Sequence, residues 1–281
     1  MALWVFLLLA AVSPEHVGPG SVAILSVQGR SDVVQVEGMA DLENAVPLRP
    51  GSVFRIASLT KQFTAVAILA LVEDGKLSLD DTLRSTLPDC PAHWNSITIR
   101  QLLSHTSGLT ADMAPILARM RDDFTPRDLL SLFAKRPVEA RPGSRWNYSN
   151  LNYWILGGVI EGAAGLEYSA FVEKRVLRRA GLRETRYAST SAIIPGRARG
   201  VTKGGDGRWL NAPYFSASIG YSAGGFASSA QDLARWYRAL NGGKVVGRKL
   251  LDLAAREVRT SDGRGTGYGL GWYVERRCNA V

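Results

Sequence analysis

Ser58 and Lys61 are the residues of this chain whose types and spacing most favour covalent chemistry. They stand three positions apart in Ser58-Leu59-Thr60-Lys61, at the start of a predicted helix, and side chains at i and i+3 share one helix face. A serine hydroxyl becomes a nucleophile when a base takes its proton, and burial beside an apolar helix lowers the pKa of a lysine. The pair therefore predicts nucleophilic catalysis. The structural alternative is a serine that caps the helix and a lysine on the surface.

Tyr148 and Asn150 form a second candidate group, just before another predicted helix. The two residues are two apart in a non-helical stretch, so we expect their side chains to point the same way. A phenol held near a lysine can relay protons, and an amide can bind a substrate carbonyl or hold the lysine. The structural alternative is that Asn150 caps the helix and Tyr148 is a half-buried core residue.

The hydrophobic pattern predicts the elements that position these side chains. A buried helix is predicted over 58–74, because 63–72 holds one polar residue, Thr64, and Gly75 supplies the stop. Strands are predicted at 21–27 and 33–36, joined at Gly29-Arg30-Ser31-Asp32, and again at 268–274. Further helices are predicted at 99–103, 125–134, 150–163, 168–180 and 229–240. This order predicts one antiparallel sheet assembled from distant parts of the chain, with a helical region inserted into it.

The composition indicates a folded chain but does not identify what it binds. Of 281 residues, 46% are hydrophobic and 21% charged, which suffices for a sizeable core, and the net charge is +9. No nucleic-acid motif accompanies the densest basic stretch, so we interpret it as solvated cations near a helix C-terminus and predict no specific nucleic acid. Cys90 and Cys278 make no disulfide framework. The basic stretch comprises Lys174, Arg175, Arg178, Arg179, Arg183 and Arg186.

Residues 1–20 have two interpretations. The apolar run 2–12 has eleven residues, too few for a membrane span of about 20. An apolar run followed by Ser13 favours a signal peptide, whereas Pro14 and the absence of a preceding Lys or Arg do not. The alternative is a first helix packed on the domain. We expect either export, to a periplasm or outside the cell, or a cytoplasmic protein.

Two further possibilities, a nucleophile elbow and a zinc site, have weaker support. Gly220-Tyr221-Ser222-Ala223-Gly224 fits the nucleophile elbow of α/β-hydrolases, but that triad needs a histidine after the serine. The three histidines, His16, His93 and His105, all precede Ser222 and are too scattered for a zinc site. No metal and no organic cofactor is predicted.

Five segments occur in the order typical of one family. They are Phe54-Arg55-Ile56-Ala57-Ser58-Leu59-Thr60-Lys61, Leu102-Leu103-Ser104-His105-Thr106-Ser107-Gly108-Leu109, Tyr148-Ser149-Asn150, Ala223-Gly224-Gly225-Phe226 and Tyr268-Gly269-Leu270-Gly271-Trp272. With them the chain resembles the serine β-lactamase and penicillin-binding-protein-like hydrolases, most of all class C β-lactamases and the related esterases and D-aminopeptidases. The resemblance implies an α/β (α+β) domain over 21–281, with an antiparallel sheet flanked by helices and a helical subdomain at about 80–215.

The resemblance also implies roles for the candidate residues. Ser58 would be the acylated nucleophile, Lys61 its base partner, Tyr148 the proton relay, and Asn150 a ligand of the substrate or of the lysine. Whether Lys61 or Tyr148 takes the serine proton stays open, because the two would titrate as a coupled pair. His105 is interpreted as a satisfied structural histidine. The expected substrate is a small-molecule ester, β-lactam or peptide.

The chain departs from the family after Trp272. Family members normally continue into a strand with Lys-x-Gly or His-x-Gly, which supplies the second oxyanion-hole N–H, whereas this chain stops at Val281. We therefore expect a domain whose C-terminal strands are missing, and loss of one oxyanion donor typically costs about 10²–10³ in rate. Two functions stay open: a serine hydrolase with an acyl-enzyme at Ser58, or a non-catalytic remnant that keeps the cleft and binds a ligand or partner without turnover.

Overall fold

The computed structural model describes residues 18–27, 30–189 and 191–275. Residues 1–17 of the predicted signal peptide or first helix, Gly29 of the predicted turn, and Cys278 lie outside the described residues. The division into a domain over 21–281 with a helical subdomain stays a prediction.

The described strands form small antiparallel sheets. β1 (Ser21–Leu25) and β2 (Val33–Glu37) pair from Ser21 opposite Glu37 to Leu25 opposite Val33, as predicted for the first two strands. A three-stranded sheet in the order β5 (Val53–Arg55), β9 (Phe226–Ser229) and β6 (Arg186–Tyr187) joins distant parts of the chain, with Phe54 opposite Ser228. This pairing confirms that strands from distant segments meet, but the prediction of one sheet is wrong, because the described strands belong to four separate sheets. The strands are β1 (Ser21–Leu25), β2 (Val33–Glu37), β3 (Met39–Asp41), β4 (Val46–Pro47), β5 (Val53–Arg55), β6 (Arg186–Tyr187), β7 (Val201–Lys203), β8 (Trp209–Asn211) and β9 (Phe226–Ser229).

Helices supply most of the core. The first begins at Thr60, two residues later than predicted, because Ala57–Leu59 form a separate 3₁₀ turn. Further 3₁₀ turns lie at Ala92–Trp94 and Ala217–Ile219, and Glu173–Leu177 form a π-helical turn. The helices are α1 (Thr60–Glu73), α2 (Leu83–Thr86), α3 (Ile99–Leu103), α4 (Ala114–Leu117), α5 (Pro126–Ser131), α6 (Asn150–Ala164), α7 (Tyr168–Val172), α8 (Arg178–Ala180), α9 (Tyr221–Gly224), α10 (Ala230–Asn241) and α11 (Arg248–Ala254).

α1 lies inside the core because it is apolar on every side. It packs against α6 and α9, and its residues from Phe63 to Leu71 are all buried. The Phe63 ring meets Trp236 of α10 at a centroid distance of 4.5 Å. Within the described ranges no helix alone combines the length and apolar character of a membrane span. Among the described helices, one pair, α6 with Tyr168–Ala180, meets that measure by length and composition, but it is bent by 75°.

The predicted strand at 268–274 is wrong. This segment is a tight turn closed by an isolated antiparallel bridge between Tyr268 and Tyr273. Gly271 explains the difference, since its φ of +106° is a conformation that favours glycine. A Cβ at position 271 would lie 2.6 Å from the Cβ of Ala65, so the turn packs closely against α1.

The basic stretch at 174–186 begins within the π-helical turn Glu173–Leu177, continues through α8 to β6, and is partly neutralised. Arg175 pairs with Glu73 and Asp74, while Arg178 pairs with Glu173. The half-buried Arg175 also donates to the carbonyl of Val245. These contacts give part of the stretch a structural role.

Candidate active site

Ser58 and Lys61 are placed by the junction between β5 and α1. After the strand, the 3₁₀ turn Ala57–Leu59 leaves Ser58 exposed, whereas Lys61, one turn further, is only 1% exposed. Ala57 has a φ of +44°, which is unfavourable for a residue with a Cβ. Backbone strain of this kind is found preferentially at functional sites. The strained residue lies directly before the candidate nucleophile.

Three oxygen atoms surround the Lys61 amine. Its Nζ lies 3.2 Å from Oγ of Ser58, 2.8 Å from Oδ1 of Asn150 and 2.9 Å from the carbonyl oxygen of Ala223. An ammonium has three N–H donors, so these three acceptors satisfy it completely. Burial lowers the pKa of Lys61 to about 7. The lysine is therefore buried and bonded, and it exchanges its proton near neutral pH.

Asn150 belongs to the site rather than to the helix cap. Ser149 is the N-cap residue of α6, and Asn150 is the first residue of the helix. Its side chain bridges two elements, with Oδ1 accepting from Lys61 and Nδ2 donating to Sδ of Met113 at 3.6 Å. The capping alternative for Asn150 is therefore wrong, and the amide holds the lysine.

Tyr148 completes the group of four predicted residues. The centre of its ring lies 4.9 Å from Nζ of Lys61. Burial raises the pKa of the Tyr148 phenol, and its interaction with Ser58 offsets part of that effect. The phenol therefore stays protonated near neutral pH. The structure brings Ser58, Lys61, Tyr148 and Asn150 together. Spacing predicted each pair, and the family resemblance implied that the two pairs meet.

His105 is fully buried beneath this group and is only partly satisfied. Its Nδ1 accepts from the backbone N–H of Ser149 at 3.2 Å and lies 3.0 Å from Nδ2 of Asn152. Its Nε2 has no hydrogen-bond partner among the described residues, which corrects the prediction of a fully satisfied histidine. The ring lies 4.3 Å from that of Tyr148. Burial and the nearby Lys61 charge hold the pKa of His105 well below its usual value, so the imidazole is neutral.

Ser222 has a structural role. It is buried on α9, and its Oγ donates to the carbonyl of Tyr153 at 2.8 Å. A 3₁₀ turn precedes it where a nucleophile elbow has a strand. The geometry agrees with the interpretation of Ser222 as a weak candidate for the nucleophile.

A cleft of about 310 Å³ opens beside Ser58. Sequence reasoning did not select its apolar walls, Met113, Trp154, Phe215 and Ile219, because they share no local motif. Arg55 also lines the cleft, and its Nη1 donates to the carbonyl of Phe215 at 2.9 Å. In the described ranges no three His, Cys, Asp or Glu side chains are grouped to hold a metal ion. The polar groups at the cleft are a hydroxyl, an amide and a guanidinium, with the lysine amine beneath, a set that suits acyl transfer.

The comparison with protein families agrees with this geometry. The family model described as Beta-lactamase matches residues 9–279, and the chain belongs to this family. Among curated proteins it is similar to the Serine beta-lactamase-like protein LACTB, mitochondrial, of Bos taurus, with 27% identity over 314 residues. That match covers 85% of this chain and 56% of the relative. The chain thus spans little more than half the length of the first curated relatives.

Two solved structures extend the comparison to the fold. The penicillin binding protein from Bacillus halodurans has a TM-score of 0.80 and 30% identity, covering 89% of this chain and 77% of that one. The D-amino acid amidase from Ochrobactrum anthropi SV3, solved with L-phenylalanine amide, has a TM-score of 0.80 and 26% identity, covering 93% and 77%. These matches confirm the predicted mixed fold of antiparallel sheets and helices.

Proposed function

We propose that this chain is a serine hydrolase that forms an acyl-enzyme at Ser58 with small ester, amide or β-lactam substrates. The observation that carries the proposal is the 3.2 Å distance between Nζ of Lys61 and Oγ of Ser58. A base for a serine must lie within hydrogen-bond reach of the hydroxyl and must have a pKa near the operating pH. Lys61 meets both conditions, because burial brings its pKa to about 7.

The contacts of Lys61 support its role as the base, because they suit both the neutral amine and the ammonium that it becomes. The neutral amine donates its two N–H groups to Asn150 and Ala223 and directs its lone pair at the Ser58 hydroxyl. As the Ser58 oxygen bonds to the substrate carbonyl carbon, its proton moves to Nζ. The resulting ammonium keeps its acceptors, so no group must rearrange. The site is thus preorganised for the charge that develops.

Tyr148 serves as the relay that returns this proton. Its phenol lies beside both Lys61 and Ser58, and its raised pKa keeps the O–H at neutral pH. When the tetrahedral intermediate collapses, the phenol gives its proton to the leaving alcohol or amine and takes the proton of Lys61. A β-lactam nitrogen is protonated in the same way when its bond to the carbonyl carbon breaks, and it stays linked to the acyl group by the remaining bonds of the opened ring. Water then attacks the acyl-enzyme, and the same groups act in reverse.

The cleft favours a compact acyl group with apolar surface. Met113, Trp154, Phe215 and Ile219 form its walls, and a volume of about 310 Å³ is at the small end of ligand sites. The similar structures bear the names of a penicillin binding protein and an amidase. Both names are consistent with acyl transfer at a carbonyl group.

Parallel turnover assays test the proposal. A nitrophenyl ester and a chromogenic cephalosporin are offered to the wild type, to Ser58→Ala and to Ser222→Ala. We expect the wild type and Ser222→Ala to turn over at least one substrate, and Ser58→Ala to turn over neither. Turnover that survives in Ser58→Ala would overturn the assignment of the nucleophile. Failure of the folded wild type on both substrates would favour the non-catalytic alternative.

A further inference from the structure

His105 has a backbone conformation that few residues adopt. It lies two residues after the end of α3, and its φ is +58°, in the left-handed region. Histidine, with Asn and Asp, is among the few non-glycine types enriched in that region. The residue is completely buried, so the fold holds a polar ring in one orientation inside the core. Strained backbone of this kind is found preferentially at functional sites.

His105 contacts three consecutive residues of the segment that leads into α6. Its backbone carbonyl accepts the N–H of Asn147 at 2.8 Å, and its Nδ1 accepts the N–H of Ser149 at 3.2 Å. Between these two hydrogen bonds, the Tyr148 ring lies 4.3 Å from the imidazole, with 33° between the two planes. His105 therefore holds the chain on both sides of Tyr148.

The N–H of Ser149 depends on this one side chain. Ser149 is the N-cap residue of α6, so its N–H has no partner inside the helix. Its hydroxyl is bonded elsewhere, because it donates to the carbonyl of Thr110 at 2.5 Å. A buried N–H that loses its acceptor costs about 1–3 kcal/mol. Loss of Nδ1 from His105 should therefore loosen the segment locally.

The hydrogen-bond donors around His105 determine its tautomer. A backbone N–H can only donate, so Nδ1 is the unprotonated nitrogen and Nε2 carries the hydrogen. Nδ2 of Asn152, a second donor, lies 3.0 Å from the same Nδ1. The Ser107 hydroxyl donates to Oδ1 of Asn152 at 2.6 Å and so orients this amide. Burial and the Lys61 charge hold the pKa of His105 well below its usual value, which keeps Nδ1 an acceptor.

We propose that His105 is the positioning residue of Tyr148: its Nδ1 fixes the segment 147–149 so that the phenol meets Lys61 and Ser58. The inference rests on the proposed function, in which Tyr148 carries a proton. Among the described residues no hydrogen bond joins His105 to Ser58 or Lys61, so His105 acts through Tyr148. A displacement of about 1 Å at a reacting group can cost about 100-fold in rate.

Amide hydrogen exchange of the full chain, followed by NMR, tests the hydrogen bond without turnover. His105→Phe keeps a ring beside Tyr148 but has no acceptor. His105→Asn keeps an acceptor near the position of Nδ1 and tolerates a positive φ. The Ser149 amide should exchange about tenfold faster or more in His105→Phe and near the wild-type rate in His105→Asn. Asn147 is the internal control, because the backbone carbonyl that it bonds is present in all three proteins.

Steady-state ester hydrolysis measures the catalytic consequence. We expect His105→Phe to lower kcat by about ten- to hundredfold and to change KM by less than about threefold. His105→Asn should restore kcat to within about fivefold of the wild type. The double variant His105→Phe with Tyr148→Phe should be no slower than Tyr148→Phe alone, because His105 acts through that phenol. A role in stability alone would give additive losses of activity instead.

The two measurements fail independently. If the folded wild type hydrolyses no ester, the proposed function fails, and the Ser149 exchange rate still decides whether His105 holds the segment. Should His105→Phe not fold, the imidazole nitrogen shifts of the wild type decide: hydrogen on Nε2 supports the proposal and hydrogen on Nδ1 overturns it. Unchanged Ser149 exchange in His105→Phe, or additive losses of kcat in the double variant, would also overturn it.

Discussion

Nζ of Lys61 and Oδ1 of Asn150 lie 2.8 Å apart, although 89 positions separate the two residues in the chain. This hydrogen bond joins the start of α1 to the start of α6. It brings the segment with Tyr148 to the segment with Ser58. The candidate site exists because two helix starts, each recognisable by itself, meet in the folded chain.

The first prediction concerns pH. Burial lowers the pKa of Lys61 to about 7, so the neutral amine predominates above that value and the ammonium below it. Since only the neutral amine accepts the Ser58 proton, kcat/KM should rise about tenfold per pH unit below pH 7 and level off above it. Ester hydrolysis measured between about pH 5 and about pH 9 checks this. A profile that is flat across pH 7, or falls as pH rises, would contradict the role of Lys61.

Asn150→Asp should move that profile. The substitution puts a carboxylate where Oδ1 now lies 2.8 Å from Nζ, and a negative charge favours the ammonium. The pKa of Lys61 should rise, and the rising limb of kcat/KM should shift to higher pH. Asn150→Leu removes the acceptor and should shift the limb the other way. Identical limbs in both variants and the wild type would show that Asn150 does not act on the lysine.

Tyr148→Phe should separate chemistry from packing. The ring contacts, including the stacking on Tyr273 at 6.4 Å, are kept, while the proton-carrying oxygen is lost. We expect the thermal midpoint to stay near the wild-type value and kcat to fall by about 10²–10⁴. Steady-state kinetics and thermal melts measure the two effects. An unchanged kcat would remove Tyr148 from the proton relay.

Ser222→Ala should lower stability but keep activity, the opposite of Tyr148→Phe. The buried Oγ donates to the carbonyl of Tyr153, so its loss should lower the free energy of unfolding by about 1 kcal/mol. Turnover should persist, because Ser222 lies outside the group of four site residues. Denaturant unfolding and the ester assay test both statements. A fully folded Ser222→Ala variant without activity would revive the nucleophile-elbow interpretation.

Gly271→Ala tests the contact between the 268–274 turn and α1. Both Gly271 and Gly267 have positive φ, at +106° and +65°, but only Gly271 has a neighbour, Ala65, within 2.6 Å of an added Cβ. Gly267→Ala therefore reports backbone strain alone. Gly271→Ala should lower the free energy of unfolding further, by about 1–3 kcal/mol, as measured in urea. Equal losses of unfolding free energy in the two variants would show that the contact between the turn and Ala65 adds no destabilisation.

Sequence reasoning succeeded where the signal is local. The apolar run after Asn150 placed the start of α6 at the correct residue, and the i, i+3 spacing put Ser58 and Lys61 together. The four site residues follow from such short patterns, together with motifs in a recognisable order. Their catalytic roles stay predictions.

Features that depend on distant contacts had no such signal. The third acceptor of Lys61 is the backbone carbonyl of Ala223, and any residue type supplies a carbonyl. The turn at 268–274 alternates like a strand in sequence, whereas its shape depends on the positive φ of Gly271 and on the close approach of that residue to Ala65. The left-handed backbone at Ala57 is also invisible in sequence, because alanine does not favour it.

The most direct test of the central claim is the intact mass of the chain after incubation with a fluorophosphonate probe. The wild type and Ser58→Ala are compared as folded, monodisperse samples. An activated Ser58 predicts a single adduct on the wild type and none on Ser58→Ala. An unmodified wild type, or an adduct that persists in Ser58→Ala, would contradict the claim that Lys61 activates Ser58 in this chain.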